Sequence, residues 1–160
     1  GLAALQALPG VDTENLAALG YCFGGMCVLD LAKADVPELK AVVTFHGILD
    51  TPALTTNQIH PNTALLVLHG AADPFVPPEA VAHFTADLDA RGGGGGGGTE
   101  DGGVGEGGGA AVTAVDWELR TYGGAMHAFT RPEKLTAADR AAGLRHCPRA
   151  ARRAWAACRA

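Results

Sequence analysis

The chain has 160 residues, 48% of them apolar and 18% charged, enough for one modest domain with a buried core and short for two. Its net charge of −5 is mild and its arginines gather near the C-terminus instead of interleaving with aromatics, which argues against nucleic acid as a partner. No apolar run approaches the ~18 residues of a membrane span, and no basic start leads into an apolar stretch. No membrane partner is therefore expected, and the expected location is cytoplasmic.

The chain starts at Gly1, already inside a helical pattern of Leu2, Leu5 and Leu8. That start suggests an upstream portion. Residues 16–22, LAALGYC, form an apolar run that stops at Gly24-Gly25, and residues 26–33 then have helical character, so strand, sharp turn and helix are expected. AVVTFHG at 41–47 and ALLVLHG at 64–70 are rich in β-branched or apolar residues and end at glycine, the form of buried strands. Pro77-Pro78 open a segment in which Val81, Phe84 and Leu88 recur at helical spacing.

Residues 92–109 contain 13 glycines in 18 positions, a composition that cannot bury apolar surface and reads as a flexible insert within a single partial domain. It lacks the Lys-Ser/Thr pair of a phosphate-cradling loop. VDWELRTY at 115–122 alternates apolar and polar side chains, as a half-buried strand near a sheet edge would. From 136 to 160, Gly143 and Pro148 divide an Ala/Arg-rich stretch into two short helices, the second carrying Trp155 inward. Strands alternating with helices predict an α/β fold with a doubly wound, mostly parallel sheet.

The chemistry-bearing motif is Gly20-Tyr21-Cys22-Phe23-Gly24. In a nucleophile elbow a strand turns abruptly into a helix, and glycines two before and two after the nucleophile relieve the collision; Gly20 and Gly24 are read in those roles. The sulfur of Cys22 would then stand over a helix N-terminus, where the dipole and the Phe23 amide favour a thiolate and an oxyanion. Taken alone, a glycine-flanked cysteine is also an ordinary buried residue at a strand-helix turn.

Asp73, in LHGAADPFVP, and His127, in YGGAMHAF, each follow the carboxyl end of a separate predicted strand. Open α/β sheets place their sites there, and the order nucleophile, acid, histidine is that of α/β-hydrolases. Without the glycine insert, the interval from Asp73 to His127 accommodates one helix, one strand and two short loops. Singly, Asp73 before Pro74 reads as a turn initiator and His127 as a loop histidine.

Together, GYCFGG, LHGAADPFVP and YGGAMHAF resemble the dienelactone hydrolase family, from about residue 17 to 131 apart from the insert. The resemblance implies an α/β-hydrolase fold with Cys22 as nucleophile, His127 as acid and base, and Asp73 orienting the imidazole. It implies a small ester or lactone as substrate, cleaved through a thioester, with no metal or other cofactor. Arg131 corresponds to a position where the family binds a substrate carboxylate, and is equally an ordinary exposed arginine before proline. Phe75 either walls the pocket or packs in the core. His46 and His69 end strands near the site and are assigned no chemistry, nor are His60, His83 and His146.

The family's second oxyanion amide, an acidic partner for the resting thiol and a further arginine lie upstream of anything in this chain. The expectation is a fragment lacking its N-terminal strands and weakly active at best. Two other classes stay open: a non-catalytic binding module on the same fold, and a thiol redox protein without a resolving cysteine at motif spacing. Cys22, Cys27, Cys147 and Cys158 form no Cys-x-x-Cys pair, so no structural zinc site is expected, and they are read as free thiols.

Overall fold

The computed structural model describes residues 2–50, 59–91 and 115–160; the glycine insert at 92–109 lies outside them. Chain order runs α1 (Leu2–Gln6), β1 (Leu16–Tyr21), α2 (Phe23–Ala32), β2 (Leu39–Phe45), β3 (Ala64–Gly70), α3 (Pro78–Arg91), β4 (Trp117–Tyr122), α4 (Ala137–Ala141) and α5 (Pro148–Cys158). The strands pair in parallel in the order β1-β2-β3-β4. β4 lies at an edge, as its alternation predicts.

Alternate side chains of the central strands feed two cores. Val42, Leu65 and Val67 pack with Leu29 and Ala32 of α2 and with Phe84 and Leu88 of α3. Phe45, Leu68 and Tyr122 pack on the opposite face with Ala150, Ala154 and Ala157 of α5. Helices therefore cover both faces, which is why LLVL of β3 is apolar without interruption. The expected α/β sheet is present with helices on either side. Among the described residues, no helix is long and apolar enough to cross a membrane.

β1 is the other edge of this sheet among the described residues, and its Leu19 is 42% exposed. The bounds of β1, β2, β3, α3 and β4 each fall within two residues of the expected ones. The main departure is α2, which starts at Phe23 and takes both Gly24 and Gly25 into its first turn.

Packing explains this shift. A methyl group on Gly20 would collide with the carbonyl of Gly24, and one on Gly25 would collide with the Thr44 hydroxyl and come within 2.7 Å of Gly47 Cα. A methyl group on Gly24 would meet nothing within 4 Å. The relief therefore lies at Gly20 and Gly25, not at Gly20 and Gly24: α2 presses its first turn against the end of β2 through backbone-to-backbone contact.

Gly20→Ala and Gly25→Ala should each destabilise the fold by about 1–3 kcal/mol through overpacking against backbone. Gly24→Ala should be neutral or slightly stabilising, within about 1 kcal/mol, because it adds helix propensity in open space. Midpoints of urea unfolding for the three variants would check the order; a Gly24→Ala loss equal to that of Gly25→Ala would contradict it.

Candidate active site

Four parallel strands deliver their carboxyl ends to one place. β1 pairs Tyr21 with Phe45 of β2, so the next residues, Cys22 and His46, emerge side by side. The Cys22 amide donates to the Phe45 carbonyl at 3.3 Å, and the His46 amide to the Leu68 carbonyl at 2.8 Å. Both residues leave their strands at positive φ, 52° for Cys22 and 39° for His46, and Ala128, beside His127, has φ 58°. Left-handed backbone at a non-glycine residue costs on the order of 1–3 kcal/mol and persists only where surrounding packing enforces it. Here three such residues border one cluster of side chains.

Asp73 sits in the turn after β3. Its amide donates to the Gly70 carbonyl and its Oδ1 accepts from the Phe75 amide at 2.9 Å, which fixes the carboxylate. The other oxygen, Oδ2, lies 2.8 Å from His127 Nδ1. His127 is held in turn by its own carbonyl, which accepts from the Arg145 amide. With Nδ1 engaged by Asp73, Nε2 is the nitrogen left to face Cys22. Asp73 and His127 are both buried, and the Cys22 side chain is partly exposed.

The sequence pattern gives His46 no chemistry, yet it is fully buried with Nδ1 3.4 Å from Cys22 Sγ. Its Nε2 lies 2.7 Å from the Thr130 hydroxyl. Thr130 can accept from Nε2–H or donate to a bare Nε2, so the ring can offer Nδ1 as acceptor to a thiol or as donor to a thiolate. Strand register was the signal that could have found this residue: two parallel strands ending level place their next residues together. His69, the other strand-end histidine, is buried, and its Nδ1 has no hydrogen-bond partner among the described residues.

The two histidines beside the sulfur have opposite electrostatics. Burial, and then the charge of His127, push His46 down to about 4, so it is neutral at pH 7. Burial is also the largest influence on His127 and would lower it. Hydrogen bonds to Asp73 and Cys22, with their charges, overcome that and raise it to about 9.

A cavity of about 490 Å³ opens beside Cys22, lined by Tyr21, Thr130, Arg131, Pro132, Glu133 and Trp155. Trp155 reaches it from α5 with its ring 4.8 Å from that of Phe45, the inward orientation expected. Arg131 lies at the cavity and is paired with Glu133, Nη2 to Oε1 at 2.5 Å. The half-exposed Phe75 ring stands 5.0 Å from the His127 ring, edge to face, and Phe23 is exposed at the first position of α2. The first amides of a helix have no intrahelical partner, so the Phe23 N–H is available at the elbow.

Linkage gives a sign for each histidine. His46, depressed in the fold, contributes stability that is complete above its unfolded value near 6.5 and is lost as pH falls toward about 4. His127, raised in the fold, contributes stability that is complete below 6.5 and is lost as pH rises toward about 9. His46→Asn should flatten the acid side of the stability profile, and Asp73→Asn the alkaline side. Unfolding free energies measured from pH 4 to 9 would test this, and unchanged slopes in both variants would contradict it.

Comparison with known proteins agrees with this architecture. The profile of the dienelactone hydrolase family matches residues 1–93, a span that includes the elbow and Asp73. A protein of Caenorhabditis elegans is 30% identical over 156 residues, covering 98% of this chain and 84% of its own length. Among solved structures, m3DLH is 34% identical with a TM-score of 0.74, over 99% of this chain and 55% of its own. A dienelactone hydrolase-like promiscuous phosphotriesterase from metagenomic libraries is 31% identical with a TM-score of 0.71, over 98% of this chain and 54% of its own. The chain thus spans little more than half the length of these solved structures, and it belongs to the dienelactone hydrolase family.

Proposed function

We propose that the chain hydrolyses a small carboxylic ester or lactone through a Cys22-His127-Asp73 triad and a thioester intermediate. The observation that carries this reading is the 2.8 Å bond from Asp73 Oδ2 to His127 Nδ1, which turns the other imidazole nitrogen toward the elbow sulfur. Cys22 Sγ attacks the carbonyl carbon and forms a C–S bond, while the carbonyl oxygen takes negative charge near the Phe23 amide. Collapse expels the alkoxide, which takes a proton from His127 Nε2. Water gives a proton to the same nitrogen, adds to the thioester and releases the acid, and Cys22 is restored. A thiolate leaves more readily than an amine, so amides are poor substrates.

In this reading Asp73 holds the tautomer, and Arg131 binds a carboxylate carried by the substrate. Tyr21 and Trp155 supply the apolar wall. Phe75 packs against His127, where it limits the movement of the ring. A second reading is a module that keeps the fold without turnover.

Aryl ester hydrolysis should separate the two. Cys22→Ala should abolish turnover and the burst of released phenol, and Asp73→Asn should lower kcat by about 100-fold to 10,000-fold. A burst retained in Cys22→Ala would remove the cysteine from its role. With the His127 value near 9, kcat/KM should fall as pH rises through about 9 and the imidazolium is lost. Arg131→Ala should raise KM for a carboxylate-bearing lactone on the order of tenfold and leave a neutral aryl ester unaffected. Equal effects on both substrates would reject the carboxylate contact.

A further inference from the structure

Spacing along the chain offers no zinc motif, but the fold assembles one cluster that spacing cannot show. Cys22, His46 and His127 come from three different segments, and one donor atom from each lies within 4.8 Å of the other two. A tetrahedral site with Zn–S of ~2.3 Å and Zn–N of ~2.0–2.1 Å has donors roughly 3.3–3.8 Å apart. The pair of Cys22 Sγ and His46 Nδ1, at 3.4 Å, already has that separation. The other two separations are no more than 4.8 Å.

The second shell matches as well. Metal-bound histidines turn the outer nitrogen to a carboxylate or another hydrogen-bond acceptor, which fixes the tautomer and aims the inner lone pair. His127 has Asp73 on its outer nitrogen at 2.8 Å, and His46 has the Thr130 hydroxyl on its outer nitrogen at 2.7 Å. Each ring therefore points its remaining nitrogen at the same sulfur. The Asp73 carboxylate and the Cys22 thiolate together balance a divalent charge, while Arg131, which lies at the cavity, is neutralised by Glu133. Cys22 and Thr130 line the cavity, so a cation has a route in and its fourth position faces that space.

We infer that Cys22, His46 and His127 form a binding site for a thiophilic divalent cation of the Zn²⁺ type, and that occupancy blocks the Cys22 sulfur. One thiolate and two imidazoles select such a cation over the oxygen-seeking Mg²⁺ and Ca²⁺. Binding places Cys22 as thiolate and His127 as neutral imidazole, and releases to solvent the proton held between them. The metal takes the sulfur lone pair that would attack a carbonyl. Binding stands independently of the proposed hydrolysis; the block rests on it.

The test uses Cys27→Ser as background, which removes the exposed thiol as a competing ligand. Titration with Zn²⁺ by calorimetry should give one ion per chain, and Cd²⁺ should produce a thiolate-to-metal charge-transfer band that is absent in Cys22→Ser. Thr130→Val, which keeps side-chain volume, should weaken Zn²⁺ about 10-fold to 100-fold. His46→Asn should weaken it further, with near-ultraviolet circular dichroism reporting whether that variant stays folded. Zn²⁺ should inhibit aryl ester hydrolysis, and a chelator should restore it. Binding unchanged in Thr130→Val and in a folded His46→Asn, or a Cd²⁺ band that survives Cys22→Ser, would overturn the site. Saturating Zn²⁺ without loss of turnover would overturn the block. Stoichiometric binding in a chain with no turnover would uphold the site and reject the hydrolase reading alone.

Discussion

The contact on which the rest of the site depends is the close approach of α2 to the end of β2. Gly25 meets Gly47 and Thr44 with no room for a methyl group, and Gly20 leaves none between itself and the Gly24 carbonyl. These absences of side chain let the helix begin one residue after Cys22 and turn that residue to φ 52°. A wider approach would relax the elbow and carry the sulfur away from His46. Strain at Cys22 is thus held by packing at its neighbours, the usual way a folded protein maintains an unfavourable backbone conformation.

Around the sulfur, the protein sets two imidazoles in different states with one difference in their partners. His127 faces a buried carboxylate and rises, while His46 faces a hydroxyl, which carries no charge to compensate burial, and falls. Their rings stand 5.3 Å apart, close enough for the charge of one to oppose a charge on the other. Protonation of His127 therefore helps keep His46 neutral. A single positive charge lies near Cys22 at neutral pH, and a second one is disfavoured by desolvation as well as repulsion.

Much of the architecture was legible because it rests on local pattern. The runs AVVTF and ALLVL are apolar on both faces and are the two central strands, and the alternating WELRTY is an edge strand. Asp73 and His127 could be picked out because each follows a strand end in hydrolase order, and their side chains meet. The start of α2 is hidden from local pattern because glycine reads as a helix breaker, whereas Gly24 and Gly25 are helical and Gly25 packs against Gly47, 22 residues away in sequence. His46 is hidden for a related reason: FHG looks like any strand terminus, and only the register of β1 on β2 puts its ring beside the sulfur. Non-local contacts of this kind leave no periodic trace.

The pairing of Arg131 with Glu133 bears on selectivity at the cavity. Both side chains are about half exposed, 49% and 54%, and an exposed ion pair contributes little net free energy because water competes for each partner. Under the proposed hydrolysis, a substrate carboxylate entering the cavity would displace Glu133 at small cost and gain a planar, two-point contact with the guanidinium. A neutral substrate would leave the pair intact and rely on Tyr21 and Trp155 for binding. On that reading the same wall would accept both kinds of ester, with the carboxylate adding preference instead of acting as an entry requirement.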